Sequence, residues 1–599
     1  MHFRILLFAI IILPISVFSQ QEKILILDEI EVSANRINST LGKTFKSVTV
    51  ISKEEISSMP VQSVEDILKY FTNVDIRQRG VFGVQADVAI RGGTFEQTLI
   101  LLNGIKISNP QTAHHNLNLP VNIENIERIE ILKGAASRIY GQNAFSGAIN
   151  IVTKTTKSKN IKLNTTIGSY NYSNNNISVS LPVKNYEQLL SYSKKSSTGY
   201  ISNTDFDITN VFYQSSFKKK INFYAGYTDK KYGANNFYTN LFPWQWETTR
   251  TAFLNTSYIS KHFESKIYWS QNYDEFVLKR DTPQFYQNIH TTDVIGAELK
   301  FNFTTSLGKT SIGAEIINEN IRSSNLGNHN RSNVGFYFEQ RIIIDKFYIT
   351  PGTYFCWYSD YNTAFYPGID IGYYFSPKLE FYAGIGKSYR VPTFTELYYN
   401  SPGNIGNTEL MPEKAISYEL GAKQKNKYFR INASVFKRNS NNLIDWVRKN
   451  DTSSWKVQNI SKINMFGFEI NQKIFLKQFF KTSFPINYLN LKYSFLDANI
   501  VDVESITKNT LNHFRHQFIL SFENKIFKNV NQVWQIRYED RICNKAHTLV
   551  DSRISYKKNN ISLYFEINNI FNVKYFEFGS IEMPGRWIHG GTTININFD

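Results

Sequence analysis

The chain has 599 residues, of which 15% are aromatic (46 Phe, 36 Tyr, 8 Trp), yet its mean hydropathy is only −0.33. A helical membrane protein is excluded, since beyond the N-terminus no apolar run approaches the roughly 18–20 residues of a spanning helix, and 42% hydrophobic residues exclude disorder. The net charge of +17 is spread along the chain, with no compact basic run beyond Lys218-Lys219-Lys220. That pattern speaks against nucleic-acid binding and for a basic surface that attracts anionic ligands or lipid head groups.

In chain order, Arg4 and the apolar stretch Ile5 to Phe18, closing on Val17-Phe18-Ser19, read as a signal peptide over 1–19 that is cut before Gln20. No cysteine lies near the cut, so a lipid anchor is not supported. From 45 to 155 the pattern mixes α and β. Val48 to Ile51 reads as a strand, and Ser52 with Glu55 has the spacing of a capping box that starts a helix. Ser63 to Asp66 opens a second helical turn with Val64, Ile67, Leu68 and Phe71 on one side. Gln97 to Leu102, Asn103-Gly104 and Ile105 to Ile107 spell a hairpin, because Asn-Gly suits the left-handed positions of a type I′ turn. A strand from Ile126 to Leu132 follows.

Beyond about residue 160 the period changes to two. Ile561, Leu563, Phe565 and Ile567 alternate with Ser562, Tyr564, Glu566 and Asn568; Leu379, Phe381 and Ile385 alternate with Glu380, Tyr382 and Gly386; Phe466 and Phe468 flank Gly467 and Glu469. One apolar and one polar face per strand is what a barrel wall in lipid requires. A soluble β-sandwich would also alternate, but so long a run without linkers, behind an export signal, favours one closed barrel. At about 20 residues per strand with its loop the region 156–599 yields about 22 antiparallel strands, and a lumen that wide must be plugged. The fold expected is thus a transmembrane β-barrel of about 22 strands, its lumen holding an N-terminal α+β plug domain over 45–155.

The residues then resemble a known family. The series Ile90-Arg91-Gly92-Gly93, Leu101-Leu102-Asn103-Gly104, Ile126 to Gly134, Ser137 to Gly141 and Gly147 to Lys154 is similar, in order, to the plug of TonB-dependent outer-membrane receptors, in pattern their cobalamin-transporter and siderophore-receptor branch. The segments Ser388 to Leu397, Gly406 to Glu413 and Pro584 to Trp587 resemble that family's barrel landmarks, although Asp599 displaces the usual terminal aromatic. The resemblance implies outer-membrane placement in a Gram-negative bacterium. It implies gated import of a chelated nutrient, cobalamin or a ferric siderophore, powered by the TonB–ExbB–ExbD complex, and leaves open a surface lipoprotein as a further partner. Within the segment 20–44, Asp28, Glu29, Ile30, Glu31, Val32, Ser33 and Ala34 resemble the TonB box, a β-prone strip able to add as a strand to a partner's sheet. Its place leaves no room for an additional N-terminal signalling domain.

Site residues follow from the same reading. Arg77, Arg79, Arg91, Arg128 and Arg138 are expected to pair the plug with acidic groups on the barrel wall. His114, His115 and Asn116 sit in the connection after the Asn-Gly hairpin, which in the family faces the external ligand. Asn203, Asp205, Tyr232, Asn235 and Tyr238 are expected in early outer loops that offer aromatic and amide groups to a polar macrocycle. No histidine lies between Pro392 and Pro412, which lowers a haem reading. Catalysis finds no motif, so neither a catalytic residue, a cofactor nor a metal-ligand set is assigned; a passive porin and a barrel-type surface enzyme stand as alternatives of another class. Cys356 and Cys543 lie 187 residues apart and their pairing is open.

Overall fold

The computed structural model describes residues 31–598 apart from 33–34, 38, 42–43, 155–157, 451, 481–483, 502–505 and 509–511. The expected signal peptide over 1–19 therefore lies outside the described residues. Twenty-two long strands, with three further two-residue strands in the connections, form one closed barrel. The long strands all pair antiparallel with their neighbours, and closure comes from Asn160–Gly168 against Trp587–Asn597, in register from Asn160↔Asn597 to Gly168↔His589. Closure leaves no sheet edge, which is the condition for crossing lipid with strands.

The alternation read from the sequence sorts the two faces. Ile561, Leu563 and Phe565 are 46–47% exposed on the outside, whereas Tyr564 and Glu566 between them are buried toward the lumen. Phe, Leu and Ile carry the outer face. The tyrosines divide: Tyr192, Tyr418 and Tyr556 stand exposed on the outside, whereas Tyr172, Tyr268, Tyr337, Tyr354, Tyr366 and Tyr382 are all buried. Several lie across a glycine of the next strand, as Tyr268 does over Gly296 and Tyr382 over Gly421. The ring fills the place that a side chain would take, and the hydroxyl stays on the polar side of the wall.

The plug occupies the lumen. Its five-stranded sheet runs in the order Val48–Ser52, Ile126–Lys133, Gly147–Thr153, Thr98–Leu102, Ile105–Ile107, with the Thr98–Leu102 and Gly147–Thr153 pair parallel. A hairpin of Val74–Gly80 and Gln85–Ile90 stands beside it. The capping box appears as read: the Ser52 side chain accepts from the Glu55 N–H, and Glu55 accepts from the Ser52 N–H, at the start of helix Lys53–Ser58. Ser63 caps helix Val64–Leu68, and Val64, Ile67, Leu68 and Phe71 all enter the plug core. Asn103 and Gly104 take φ of 53° and 76°, both left-handed, as a type I′ turn demands. Both chain ends of the barrel lie at one rim, and the plug loops 81–84 and 108–118 rise to the connections of the opposite rim, the rim designated the outer end.

Candidate functional site

The seam between plug and wall is built from charge. Arg91 donates to Glu419 at 2.6 Å and to Glu469 at 2.8 Å, and Lys133 reaches the second oxygen of Glu469 at 2.7 Å. Arg138 pairs with Glu339 at 3.2 Å and with Asp370, which Lys46 also contacts at 3.0 Å. Lys69 meets Glu577 at 2.9 Å, and Arg36 meets Glu298. In these pairs the plug supplies cations and the barrel supplies anions. Each buried pair is costly to break singly, and these charged stretches can be re-solvated when water enters; between them lie apolar patches, as where Phe145 packs on Leu443, Ile463 and Met465 and Ile105 on Tyr268 and Ile317.

The five arginines singled out from sequence divide. Arg91 and Arg138 meet wall carboxylates. Arg77 pairs at 2.9 Å with Asp75 of the plug itself, and also donates to the backbone carbonyl of Asn512. Arg79 pairs at 3.3 Å with the plug's own Asp87 and meets the wall through the Phe237 carbonyl, at 3.1 Å, and over the ring of Phe578, at 4.3 Å. Arg128 has its ion pair with the neighbouring Glu130 at 2.8 Å. Arg77 and Arg79 correct the expectation of wall carboxylates, because hairpin and strand geometry place a same-face acid two residues away, or across the hairpin, nearer than the wall. The partners on the wall were not named from sequence, although Glu469 had been placed on a strand's polar face. That position was the available signal.

At the outer end the plug loop 109–116 is stapled by its own polar side chains. The Asn109 N–H donates to Asn116 Oδ1 at 3.1 Å, and the Gln111 N–H to Asn109 Oδ1 at 3.0 Å. Thr112 caps a 3₁₀ turn over Ala113–His115. With three residues per turn, successive side chains leave the axis about 120° apart, so the two histidines diverge. His114 bonds Asp87 at 2.6 Å and stacks on Phe95 with ring centroids 4.2 Å apart. Burial lowers its pKa to about 4, which keeps the imidazole neutral. His115 turns to the wall, with Nε2 3.4 Å from Glu247 Oε1 and 3.6 Å from Asp274 Oδ2. Against the cost of burial, Asp274 and then Glu247 hold its pKa above the ordinary value.

The remaining candidates are scattered. Asn116 and Asn203 are buried in loop-internal bonds, Asn203 donating to the carbonyls of Pro243 and Gln245. Asp205 is held by both outer nitrogens of Arg280, at 2.7 and 3.0 Å. Tyr232 lies in an apolar cluster with Phe82, Phe206 and Phe237. Asn235 donates to the Ser202 carbonyl at 2.8 Å. Tyr238 keeps an exposed face while its hydroxyl donates to Glu247 at 3.0 Å. Of the segment 28–34, only Glu31 and Val32 are described; they pair with Ser39–Thr40, and the other five lie outside the described residues. Cys356 is buried in strand Phe347–Tyr358, Cys543 lies in an exposed outer connection, and no disulfide joins them.

A latch that sequence reasoning left unassigned joins plug and outer loop 391–412. Arg390 donates two bonds to Glu396, at 2.9 and 3.0 Å, and two to Glu413, at 2.7 and 2.8 Å. Gln97 of the plug donates to Glu413 at 2.9 Å, and the carbonyls of Pro110 and Gln111 accept from the N–H groups of Phe394 and Thr395, at 2.9 and 3.1 Å. The loop and the adjoining Glu413 are thus bonded to the plug at three points.

Comparison with known proteins agrees with this architecture. Residues 40–148 match the model of the TonB-dependent Receptor Plug Domain, and residues 145–570 that of the TonB dependent receptor-like β-barrel. The chain is 24% identical over 507 residues to the Vitamin B12 transporter BtuB of Vibrio vulnificus, covering 77% of this chain and 78% of that one. The solved siderophore receptor PirA from Acinetobacter baumannii superposes with a TM-score of 0.73 at 15% identity, covering 92% and 98%. The FrpB iron transporter from Neisseria meningitidis gives 0.74 at 14%, covering 91% and 99%. With a matched barrel around a matched plug, the chain belongs to the TonB-dependent receptor family, whose members are transporters and receptors and not enzymes.

Proposed function

We propose that this protein imports a scarce metal chelate, cobalamin or a ferric siderophore, across the outer membrane of a Gram-negative bacterium. The observation that carries the reading is the seam: a plug that fills the lumen yet is held by buried ion pairs such as Arg91–Glu469 and Arg138–Glu339. The charged stretches of this interface close the pore at rest and can exchange their partners for water when the plug shifts, while apolar patches such as Phe145 on Leu443 and Ile463 hold it between them. A passive pore has no use for it. The outer membrane holds no ATP, so force must come through the periplasmic side, from the TonB–ExbB–ExbD complex pulling on the strip 28–34. The chelate binds at the plug apex and outer rim, where His114, Asp205, Asn235 and Tyr238 retain accessible surface. Through loop 391–412 and the apex, occupancy outside couples to availability of the strip inside.

The test has two arms. Binding of cobalamin, a ferric siderophore and haem to the purified protein is measured by tryptophan quenching, and uptake of the bound chelate is followed in cells. Deleting residues 28–34 is expected to leave binding intact and to abolish uptake; unchanged uptake would sink the energised mechanism.

A further inference from the structure

The outer end holds a donor set that the chelate-import reading does not use. His115 Nε2, Glu247 and Asp274 bring three ligand atoms within 4.8 Å of one another, and all three residues are buried. His115 comes from the plug. Glu247 and Asp274 come from the outer ends of the adjacent wall strands Trp246–Ile259 and Phe263–Val277. The spacing is informative. A protonated imidazole bonded to a carboxylate draws its oxygen to roughly 2.7–2.9 Å, whereas here the separations are 3.4 and 3.6 Å. An ion with bonds of about 2.0–2.2 Å and tetrahedral angles spaces its ligands about 3.3–3.6 Å apart.

A second observation points the same way. Glu247 Oε1, the oxygen that faces His115 Nε2, is a buried acceptor that receives no hydrogen bond, as are Asp274 Oδ1 and the neighbouring Gln111 Oε1; Asp274 Oδ2, 3.6 Å from His115, accepts from Gln111 Nε2. Buried oxygens are ordinarily paired, and a cation between Glu247 Oε1, the Asp274 carboxylate and His115 Nε2 satisfies them, leaving His115 Nδ1 and the Tyr232 hydroxyl as donors without a protein partner among the described residues. The outer shell is in place: Tyr238 donates to Glu247 Oε2 at 3.0 Å, and Gln111 Nε2 to Asp274 Oδ2 at 2.8 Å. Such bonds orient carboxylate ligands.

We propose that His115, Glu247 and Asp274 form a divalent transition-metal site that ties the plug apex to the barrel wall. One imidazole nitrogen with two carboxylate oxygens suits Zn²⁺ or Mn²⁺ and disfavours Ca²⁺ and Mg²⁺, which take oxygen ligands. The ion acts as a clamp between plug and wall, separate from the imported chelate.

The experiment uses the full-length protein in detergent, stripped with a chelator and re-equilibrated with ZnCl₂ or CoCl₂ alone. Wild-type protein is expected to retain about one Zn²⁺ per chain, and bound Co²⁺ to show the intense visible bands of a low-coordinate nitrogen–oxygen site. His115→Gln and Glu247→Gln should lose that equivalent, and Gln111→Leu should bind roughly 10–100-fold more weakly. His114→Gln should bind as wild type. Heat-modifiable gel mobility reports that each variant is folded. Failure of the wild type to retain metal overturns the proposal without reference to any variant. Equal retention by folded Glu247→Gln also overturns it, since the ion would then sit elsewhere.

Discussion

Arg541 of the barrel wall holds Asp75 of the plug through two parallel bonds of 2.6 and 2.9 Å, with the acid on the plug and the base on the wall. This pair reverses the polarity of the Arg91 and Arg138 contacts. Arg77 donates to the same carboxylate at 2.9 Å, so one buried anion satisfies two guanidinium groups. Asp75→Asn would leave both cations underpaired in a site closed to water. Breaking such a pair from one side costs about 3–5 kcal/mol. The denaturant midpoint for plug release, followed by protease access to the plug, should therefore fall sharply. Adding Arg541→Met should recover part of the loss, and full additivity of the two substitutions would contradict the pairing.

Glu96 gives a pH dependence with a definite sign. Burial, then the neighbouring Glu396, raises its pKa from the ordinary 4.5 to about 8, against the opposing pull of Arg390. A carboxyl raised in the folded state contributes stability that is fully present below about pH 4.5 and is lost as the pH climbs through about 8. Thermal midpoints at pH 5, 7 and 9 should decline in that order, and Glu96→Gln should flatten the decline. A wild-type midpoint that rises over this interval would refute the assignment.

Arg390 cannot be replaced by lysine without loss. Its planar fork serves Glu396 and Glu413 at once, and an ammonium point charge cannot reproduce four directed bonds. Arg390→Lys should assemble into a barrel with normal heat-modifiable mobility. Its loop 391–412 should be cut faster by protease, and affinity for the imported chelate should fall about tenfold, near 1.4 kcal/mol. Equal protease rates in both proteins would separate the loop from the latch.

The wall tyrosines depend on the glycines beneath them. A Cβ at Gly335 would come 2.0 Å from the Tyr354 hydroxyl, which donates to Glu315 at 2.9 Å. Gly335→Ala must displace the ring and break that bond, at a cost of about 1–3 kcal/mol. The temperature at which the barrel loses its compact gel mobility should drop, and Tyr354→Ala in the same chain should remove most of the further penalty. If Gly335→Ala alone leaves that temperature unmoved, the ring is not held as described.

Local chemistry was legible wherever partners are close in sequence. The capping box of Ser52 and Glu55, the Asn103-Gly104 turn and the alternation around Leu563 each need only a few neighbouring residues, and each appears in the fold. The arginines were legible as seam candidates but their partners were not. Glu469 lies 378 positions from Arg91, and nothing local distinguishes that acid from Asp75 or Asp87, which Arg77 and Arg79 reach within or across the hairpin. The sequence places His114 and His115 in one connection and does not tell which way each ring points. The 3₁₀ turn that splits the pair is set by a Thr112 cap whose neighbours give no helical period to recognise.

What the sequence determined by itself is the class: period-two strands in number enough for a wide barrel, and a preceding α+β segment of a size to fill it. Those follow from patterns that short-range sterics and burial impose on adjacent residues. Only the tertiary structure decided which tyrosines pack inward over a glycine, that Arg390 and the plug's Gln97 share Glu413, and that His115 meets Glu247 and Asp274. These depend on barrel closure and on which strands face the plug, long-range relations that no local pattern encodes.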